Sequence, residues 1–432
     1  MARTPALLGV HLASATGDLI RAGTLTRDAT GATTFVIDEV YLRSADRPTL
    51  SLRWVGLEGE AATQTRLANR GDKIAHPGFL PPWFSGLLPE GALRELVETE
   101  MGPGDHDQFD VLARLGADLP GAVVVLPETD MGADVGAVRW DRVDGRRAPV
   151  PEGIVKFSLA GVQLKFNAIA AGDRLTMPGR SGEGRIILKA PTRHYPQLPE
   201  AEFTAMRLCQ AIGIRTAEVR LAPVSAIDGV PAEFMEAGDY ALAVDRFDRP
   251  AGNGRIHMED AAQIIGAVGE RKYTMANSET VLNMIRRFST DWREDVLEGM
   301  RRLAADVLIG NGDNHLKNWS FVFPDGVGAR LSAAYDIVPT VFYEPRDRLA
   351  LQLLGTRTFS AIGLAKFRRV GEYLGLGADR SEREVRLIVE QALEVWPAML
   401  AEMPISGDRQ RGLLERLETL RLVRQVRGIE AV

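Results

Sequence analysis

The sequence predicts an α+β protein, with a β-rich first half followed by a helical second half. Three observations carry that expectation. Short runs of β-branched and aromatic residues, separated by turn residues, fill residues 20–60 and return after Gly153. Beyond Met258 the apolar residues recur at a spacing near 3.6. The helical half is then broken once, by the polar stretch IGNGDNHLKNWSFVF from Ile309 to Phe323.

Taken in order, the N-terminal MARTPALLGVHLASATGD has only a brief apolar run, broken by His11 and followed by Asp18. It lacks the continuous apolar core of a secretion signal. No apolar run approaches the roughly 18 residues of a membrane span, so a soluble, cytoplasmic protein without a membrane partner is expected. GTLTRD, TTFVIDEVYL and LSLRWV read as strands, separated by DATGA and SADRP. Pro- and Gly-punctuated loops follow, and DQFDVLARLGAD reads as a helix. The periodicity fades over residues 127–153, where turn residues point to a connection between domains. GIVKFSLAGVQLKFNAIA and RIILKAP resume strand character, EAEFTAMRLCQAIGI reads as a helix, and AEVRLAPVSAI and YALAVDRFDR read as two more strands. EDAAQIIGAV, ETVLNMIRRFS, WREDVLEGMRRLAADVLIG and the C-terminal stretch are helical in pattern. A chain of 432 residues fits two to three domains, expected at residues 1–130, 131–255 and 256–432.

Composition narrows the function. With 45% hydrophobic and 25% charged residues the chain can bury a sizeable core. A formal net charge of -6 argues against a surface that grips nucleic acid throughout. The single cysteine, Cys209, excludes an internal disulfide framework and a cysteine-based zinc site. It sits in an apolar helical pattern, where a small buried side chain is expected.

The polar stretch carries the chemistry. A core cannot absorb so many polar groups without partners, because each unpaired one costs a few kcal/mol. Asp313 and Asn318 stand five positions apart, the spacing by which a kinase catalytic loop places an acceptor-facing Asp and a magnesium-holding Asn. A carboxylate suits the attacking hydroxyl, and an amide oxygen is a hard ligand for Mg²⁺. Lys317 between them is placed to neutralise a transferring phosphoryl group. Downstream, LSAAYDIVPT sets Asp336 at the end of a strand–turn–strand, as a second metal ligand would be. It reads DIV rather than DFG, so this is no ordinary eukaryotic-type kinase.

Upstream, RIILKAP offers Lys189 at a strand end, and Glu202 follows 13 residues later in a helix, the order of a kinase lysine–glutamate pair. SLAGVQLKF, with Ser158, Ala160, Gly161 and Val162, reads as a phosphate-covering turn between strands or as a plain hairpin. HMED, His257 to Asp260, falls at the junction of the halves, where a hinge would meet an adenine. No G-x-x-x-x-G-K-[ST] is present, which argues against a P-loop enzyme.

These pieces in order resemble the HipA family, bacterial serine/threonine kinases that act as toxins in type II toxin–antitoxin systems. The matching stretches are GTLTRDATGATTFVIDEVYL, GLLPEGALR, FDVLARLGADLPGAVVV, SLAGVQLKF, IILKAP, AVDRFDR, HMEDAAQIIG, NGDNHLKNWSF and AAYDIVPT. The resemblance implies a two-lobed, protein-kinase-like fold related to phosphoinositide kinases, with an extra β-rich N-terminal subdomain and a helical C-terminal lobe. It implies Asp313 as catalytic base, Asn318 and Asp336 as Mg²⁺ ligands, and Lys189 on the ATP phosphates. Ser158 would be a site of inactivating autophosphorylation, and Glu259 would lie near the adenine. A phosphate on Ser158 would add about two negative charges where the phosphates of ATP belong. A helix-turn-helix antitoxin of HipB type, DNA reached mainly through that antitoxin, and an aminoacyl-tRNA synthetase as substrate are the partners the resemblance implies. Leu164 replaces the acidic residue usual in the S-x-A-G-x-Q loop, and Asp245 replaces a usual Glu. Neither touches the base-and-metal set.

Two rival readings remain beside this one. A metal-dependent hydrolase would use His315, Asp313 and Asp336, but the six histidines are scattered and no H-E-x-x-H pair exists. In the kinase reading His315 is expected to brace the loop by hydrogen bonding. A pseudokinase or co-repressor would act by binding an antitoxin and operator DNA; the intact set of Lys189, Asp313, Asn318 and Asp336 argues against it. The tail RQRGLLERLETLRLVRQVRG, with Leu413, Leu417 and Leu420 at helical spacing, reads as a docking helix or as a solvated basic face.

Overall fold

The computed structural model of the chain describes residues 6–128, 165–171, 174–176, 184–228, 237–252 and 254–431. Three sheets and a helical mass are present among them. The first sheet has strand order β4-β3-β2-β1-β5 and is antiparallel throughout. Its strands are β1 (Ala6–Ala13), β2 (Leu19–Arg27), β3 (Thr33–Ile37), β4 (Ile74–Ala75) and β5 (Val123–Pro127). The apolar run read only as too short for a signal is β1, paired on both edges; its Leu8, Val10 and Leu12 alternate onto the core face.

Two stretches expected as strands are otherwise. EVYLR is a helix, because Asp38 accepts the backbone N–H groups of Val40 and Tyr41 and ends the ladder of β3. LSLRWV is a short 3₁₀ turn over Leu52–Trp54, capped by Ser51. Its aromatic content serves a cluster rather than a ladder: Trp54, Trp83, Phe84 and Phe35 pack with ring centroids 4.8 to 6.1 Å apart. The helix expected near DQFDVLARL spans Gln108–Leu115, started by a reciprocal cap between Asp107 and Asp110.

The second sheet has order β10-β7-β6-β8-β11-β9. It comprises β6 (Lys165–Ala171), β7 (Arg174–Thr176), β8 (Ile186–Lys189), β9 (Val219–Pro223), β10 (Ile227–Asp228) and β11 (Tyr240–Asp245). The helix Leu198–Ala211 packs against it, with Cys209 fully buried as expected. Ala168, Ile186, Leu188, Ala241 and Ala243 of this sheet share one core with the first sheet. The N-terminal sheet is therefore mounted on the second by apolar burial, the dominant driving force for such contact.

The joint also has a buried polar seam. Asp248 is bonded by Arg246 and Arg249, and Arg249 reaches the Leu119 and Gly121 carbonyls at 2.8 Å each. Gly121 returns its N–H to Asp248 at 2.8 Å. The two arginines hold the Asp248 carboxyl well below the usual range despite its burial.

A small third sheet, β12 (His257–Asp260), β13 (Ser320–Phe323) and β14 (Arg330–Leu331), opens the helical half. Around it lie the helices Ser278–Phe288, Trp292–Ile309, Leu364–Tyr373, Ala378–Leu400, Gly407–Thr419 and Arg421–Val426. The tail leucines Leu413, Leu417 and Leu420 are buried in this core. Their apolar face is thus used within the chain; Arg411, Arg421, Arg424 and Arg427 stay exposed, while Arg416 turns inward to the Val307 carbonyl at 2.9 Å. Among the described residues no helix is long and apolar enough to cross a membrane.

Candidate active site

A cleft lies between the second and third sheets, with Leu87, Leu88 and Pro120 of the N-terminal region along its wall. Its lining combines apolar Leu87, Leu88, Ile187, Val244, Phe247 and Met258 with Lys165, Lys189, Lys317, Asn318 and Asp336, and with Asp248 and Asp260. Apolar surface beside cations and hard oxygen donors suits a ligand with an apolar ring and an anionic group.

The cationic lining follows from strand register. Lys165 on β6 and Lys189 on β8 are direct cross-strand partners, so their side chains leave the same face. Two like charges placed opposite each other destabilise a sheet unless a counter-ion joins them. Asp336 is that counter-ion. Lys165 Nζ lies 3.0 and 3.3 Å from its two carboxylate oxygens. Lys189 is bonded both to Asp336 and to Glu202, so the expected lysine–glutamate pair is formed. Burial alone would raise the Asp336 pKa, yet Lys165 and Lys189 hold it far below the usual carboxylate range. Burial would likewise lower Lys189, and Asp336 and Glu202 reverse this and hold it above. Asp336 has φ 59°, a left-handed conformation uncommon outside glycine, though several-fold enriched for Asp and Asn. Tyr335 pins it from the side, its hydroxyl donating to the Lys317 carbonyl at 2.8 Å.

The polar stretch is a loop whose polar groups satisfy one another. The Trp292–Ile309 helix ends at Gly310 in the left-handed conformation. Asp306, in its last turn, accepts from the side-chain amides of Asn311 at 2.8 Å and Asn314 at 2.5 Å. Asn311 Oδ1 in turn accepts the Asp313 N–H at 3.1 Å, and Asn318 Nδ2 donates to the Asp313 carbonyl at 2.9 Å. Asp306 gave no signal in sequence, because it reads as one more polar residue of an amphipathic helix.

Asp313 is exposed, and its carboxylate accepts a hydrogen bond from the Tyr273 hydroxyl at 2.8 Å. The surrounding protein raises its pKa and Asp336 adds to the rise, while Tyr273 opposes it. Lys317 lines the cleft but is also paired with Glu90 at 3.1 Å, and Lys272 reaches the other Glu90 oxygen at 2.7 Å. Partial burial would raise Glu90, but Lys317 and Lys272 pull it down to about 2.

Two expectations need correction. Glu259 does not face the cleft. Side chains alternate along β12, so Met258 and Asp260 line the cleft while Glu259 points the opposite way. There, wholly buried, it accepts from Ser51 and from the Leu52 N–H at 2.8 Å and Trp83 Nε1 at 2.9 Å. His315 does not brace the loop through its imidazole, whose Nδ1 has no partner among the described residues. The ring instead packs edge-on against Tyr273, with centroids 5.0 Å apart, and burial lowers its pKa to about 4. Ser158, Ala160, Gly161 and Val162 lie outside the described residues.

Among the described residues no three His, Cys, Asp or Glu side chains converge as a metal site, so the hydrolase grouping of His315, Asp313 and Asp336 is not assembled. Asn318 and Asp336 carry hard oxygen donors of the kind a magnesium ion takes, with the Asp336 oxygens here on Lys165 and Lys189. Asn318 commits its amide nitrogen to the Asp313 carbonyl, which leaves its oxygen for a cation. Two protein donors suit Mg²⁺, which usually keeps waters and substrate phosphates as its other ligands. Lys165, Lys272, Tyr273, Glu90, Leu87 and Leu88 are site residues that the sequence reading did not name.

Residues 16–126 match the family model of the HipA N-terminal domain, and residues 157–398 match that of the HipA-like C-terminal domain. A Sinorhizobium fredii protein named "Putative kinase Y4dM" is 36% identical over 394 residues, covering 89% of this chain and 91% of the relative. A second protein of that organism, "Putative kinase Y4mE", is 29% identical over 348 residues, 74% of this chain and 79% of its own. Among solved structures, HipA of Shewanella oneidensis MR-1, in a complex with HipB and operator DNA, matches with a TM-score of 0.69 at 21% identity. The match covers 98% of this chain and 100% of that one, so the two share a fold.

Proposed function

The chain belongs to the HipA family, and from that premise we propose that it is an ATP- and Mg²⁺-dependent protein serine/threonine kinase, the toxin of a toxin–antitoxin pair. The observation that carries this reading is the arrangement around Asp336: Lys189 joins Glu202 to Asp336 in the cleft, Asn318 lines the same cleft, and the Asn318 amide holds the backbone of Asp313 beside it. A phosphotransfer site needs cations for the phosphates, donors for the metal and a carboxylate for the acceptor hydroxyl. In this reading Lys189 and Lys165 hold the phosphates, and Asn318 and Asp336 hold Mg²⁺. The bound ion would supply charge neutralisation between the phosphate oxygens. Asp313 would take the proton of the acceptor hydroxyl. The apolar lining of the cleft would receive the base. A helix-turn-helix antitoxin, DNA reached through it, an aminoacyl-tRNA synthetase as substrate and self-inactivation at Ser158 belong to the same proposal. So do domain boundaries near residues 130 and 255.

Intact mass of the purified chain before and after incubation with Mg·ATP, beside Asp313→Gln, tests it. A single phosphate gained by the wild type alone is the expected result. No gain, together with no ATP-induced rise in melting temperature, would overturn the kinase reading and leave a binding module.

A further inference from the structure

We propose that Tyr273 is a positioning residue for the Asp313 carboxylate, and that the turn carrying it is held to the catalytic loop by Glu90; this rests on the kinase reading above. The backbone of Asp313 is fixed from within its own loop by Asn311 and Asn318. Its carboxylate is not. Among the described residues the only hydrogen bond to it comes from Tyr273, at Oδ1. An exposed Asp without a partner would sample several rotamers, and a misplacement of about 1 Å at a reacting group can cost on the order of 100-fold in rate.

The donor sits on a built element. Gly269–Tyr273 forms a 3₁₀ turn that is tied down at three points. The Tyr273 ring packs edge-on against His315 of the catalytic loop. The Tyr273 carbonyl accepts from Arg357 at 3.0 Å. Lys272, the neighbouring residue, shares the Glu90 carboxylate with Lys317 of the catalytic loop. Glu90 thereby staples the turn and the loop to the same point of the N-terminal domain.

The geometry distinguishes positioning from blockade. A carboxylate has about four acceptor sites on its two oxygens. Tyr273 occupies one at Oδ1, so Oδ2 is left for the hydroxyl that is to be phosphorylated. Packing against His315 needs only the ring, which phenylalanine also supplies; the hydroxyl is what the positioning requires.

Phosphatase-treated full-length protein and its Tyr273→Phe variant, followed by ADP release over the single self-phosphorylation turnover at varied Mg·ATP, test the inference, with kcat the limiting rate of that turnover and KM the ATP concentration giving half of it. The expected result is a fall in kcat of about tenfold with the KM for ATP changed less than twofold, and a melting temperature and ATP-induced shift like those of the wild type. A kcat within twofold of wild type, or one that rises, would overturn the positioning role while leaving the kinase reading intact. A higher KM at unchanged kcat would overturn it equally, because the hydroxyl would then act on nucleotide binding. A wild type that releases no more ADP than Asp313→Gln would remove the kinase reading itself, and this inference with it.

Discussion

Lys165→Met removes the cation that only the strand register reveals. Lys165, Lys189, Asp336 and Glu202 form a quartet of two positive and two negative charges, joined by contacts that include Lys165 to Asp336 at 3.0 Å. Its formal sum is zero; without Lys165 it is one negative charge. The gross attraction across 3.0 Å is about 5 kcal/mol at an effective dielectric near 20, but desolvation of the buried ammonium offsets much of that. Methionine fills nearly the same space. The stability of the free protein should therefore change by only about 1 kcal/mol.

Nucleotide binding should change much more. One uncompensated negative charge roughly 6 Å from a phosphate costs about 2–3 kcal/mol at the same dielectric. That corresponds to roughly 30- to 150-fold in affinity. Titration of Mg·ATP into both proteins, read by the shift in melting temperature and by calorimetry, measures it directly. Lys189→Met should lose at least as much affinity and also destabilise the fold, because it orphans Glu202, which is almost fully buried. If Lys165→Met binds Mg·ATP within threefold of wild type, the lysine is only a structural partner of Asp336 and the account of the cationic lining is wrong.

His257 gives a pH signature: burial holds its pKa at about 4, with one nitrogen on the Leu50 carbonyl at 2.9 Å and Nδ1 without a partner among the described residues. Unfolded imidazole is protonated below about 6.5, so about 3 kcal/mol of stability present above that pH is lost as pH falls to 4; denaturant melts of wild type and His257→Gln should converge toward acid, and parallel pH slopes would contradict this. Glu90→Gln should raise the KM for ATP a few-fold and lower kcat as well, since Lys317 and the Gly269–Tyr273 turn lose one shared anchor; unchanged kinetics would show that the staple is idle. Gly121 has φ 68°, and a Cβ there would stand 2.6 Å from the Met258 backbone nitrogen, so Gly121→Ala should cost on the order of 2 kcal/mol or more, read as a lowered melting temperature.

The sequence made the α+β plan and the family legible, and local chemistry explains why. Asp313 and Asn318 are separated by a spacing fixed within one loop, and Lys189 and Glu202 lie on adjacent elements. Lys165 was quoted within SLAGVQLKF and still went unrecognised, because its role depends on which residue of β8 it opposes. Pairing register is a tertiary property and leaves no mark on a strand read alone. Glu259 failed for the opposite reason. Met258 and Asp260 of HMED do line the cleft, but four residues of strand give no indication of which face meets it, and the partners that decide it, Ser51, Leu52 and Trp83, lie about 200 residues upstream. The strand expected at LSLRWV was lost to that same contact, since the Leu52 N–H goes to Glu259 rather than to a ladder.

The buried placement of Glu259 and the turn at LSLRWV share one physical origin, which is that the N-terminal domain is built into the centre. Leu87 and Leu88 line the cleft, and Glu90 reaches the catalytic loop only two residues further along GLLPEG. On the reverse side of β12, the buried Glu259 is saturated by donors from the same domain, so a single strand carries the cleft on one face and the domain anchor on the other. A buried carboxylate that loses its donors leaves an unsatisfied charge costing several kcal/mol. Prying the N-terminal domain away would therefore strand Glu259 and release Lys317 together. A force that shifts the N-terminal domain thus acts on Lys317 in the cleft as well, through contacts already present in the chain.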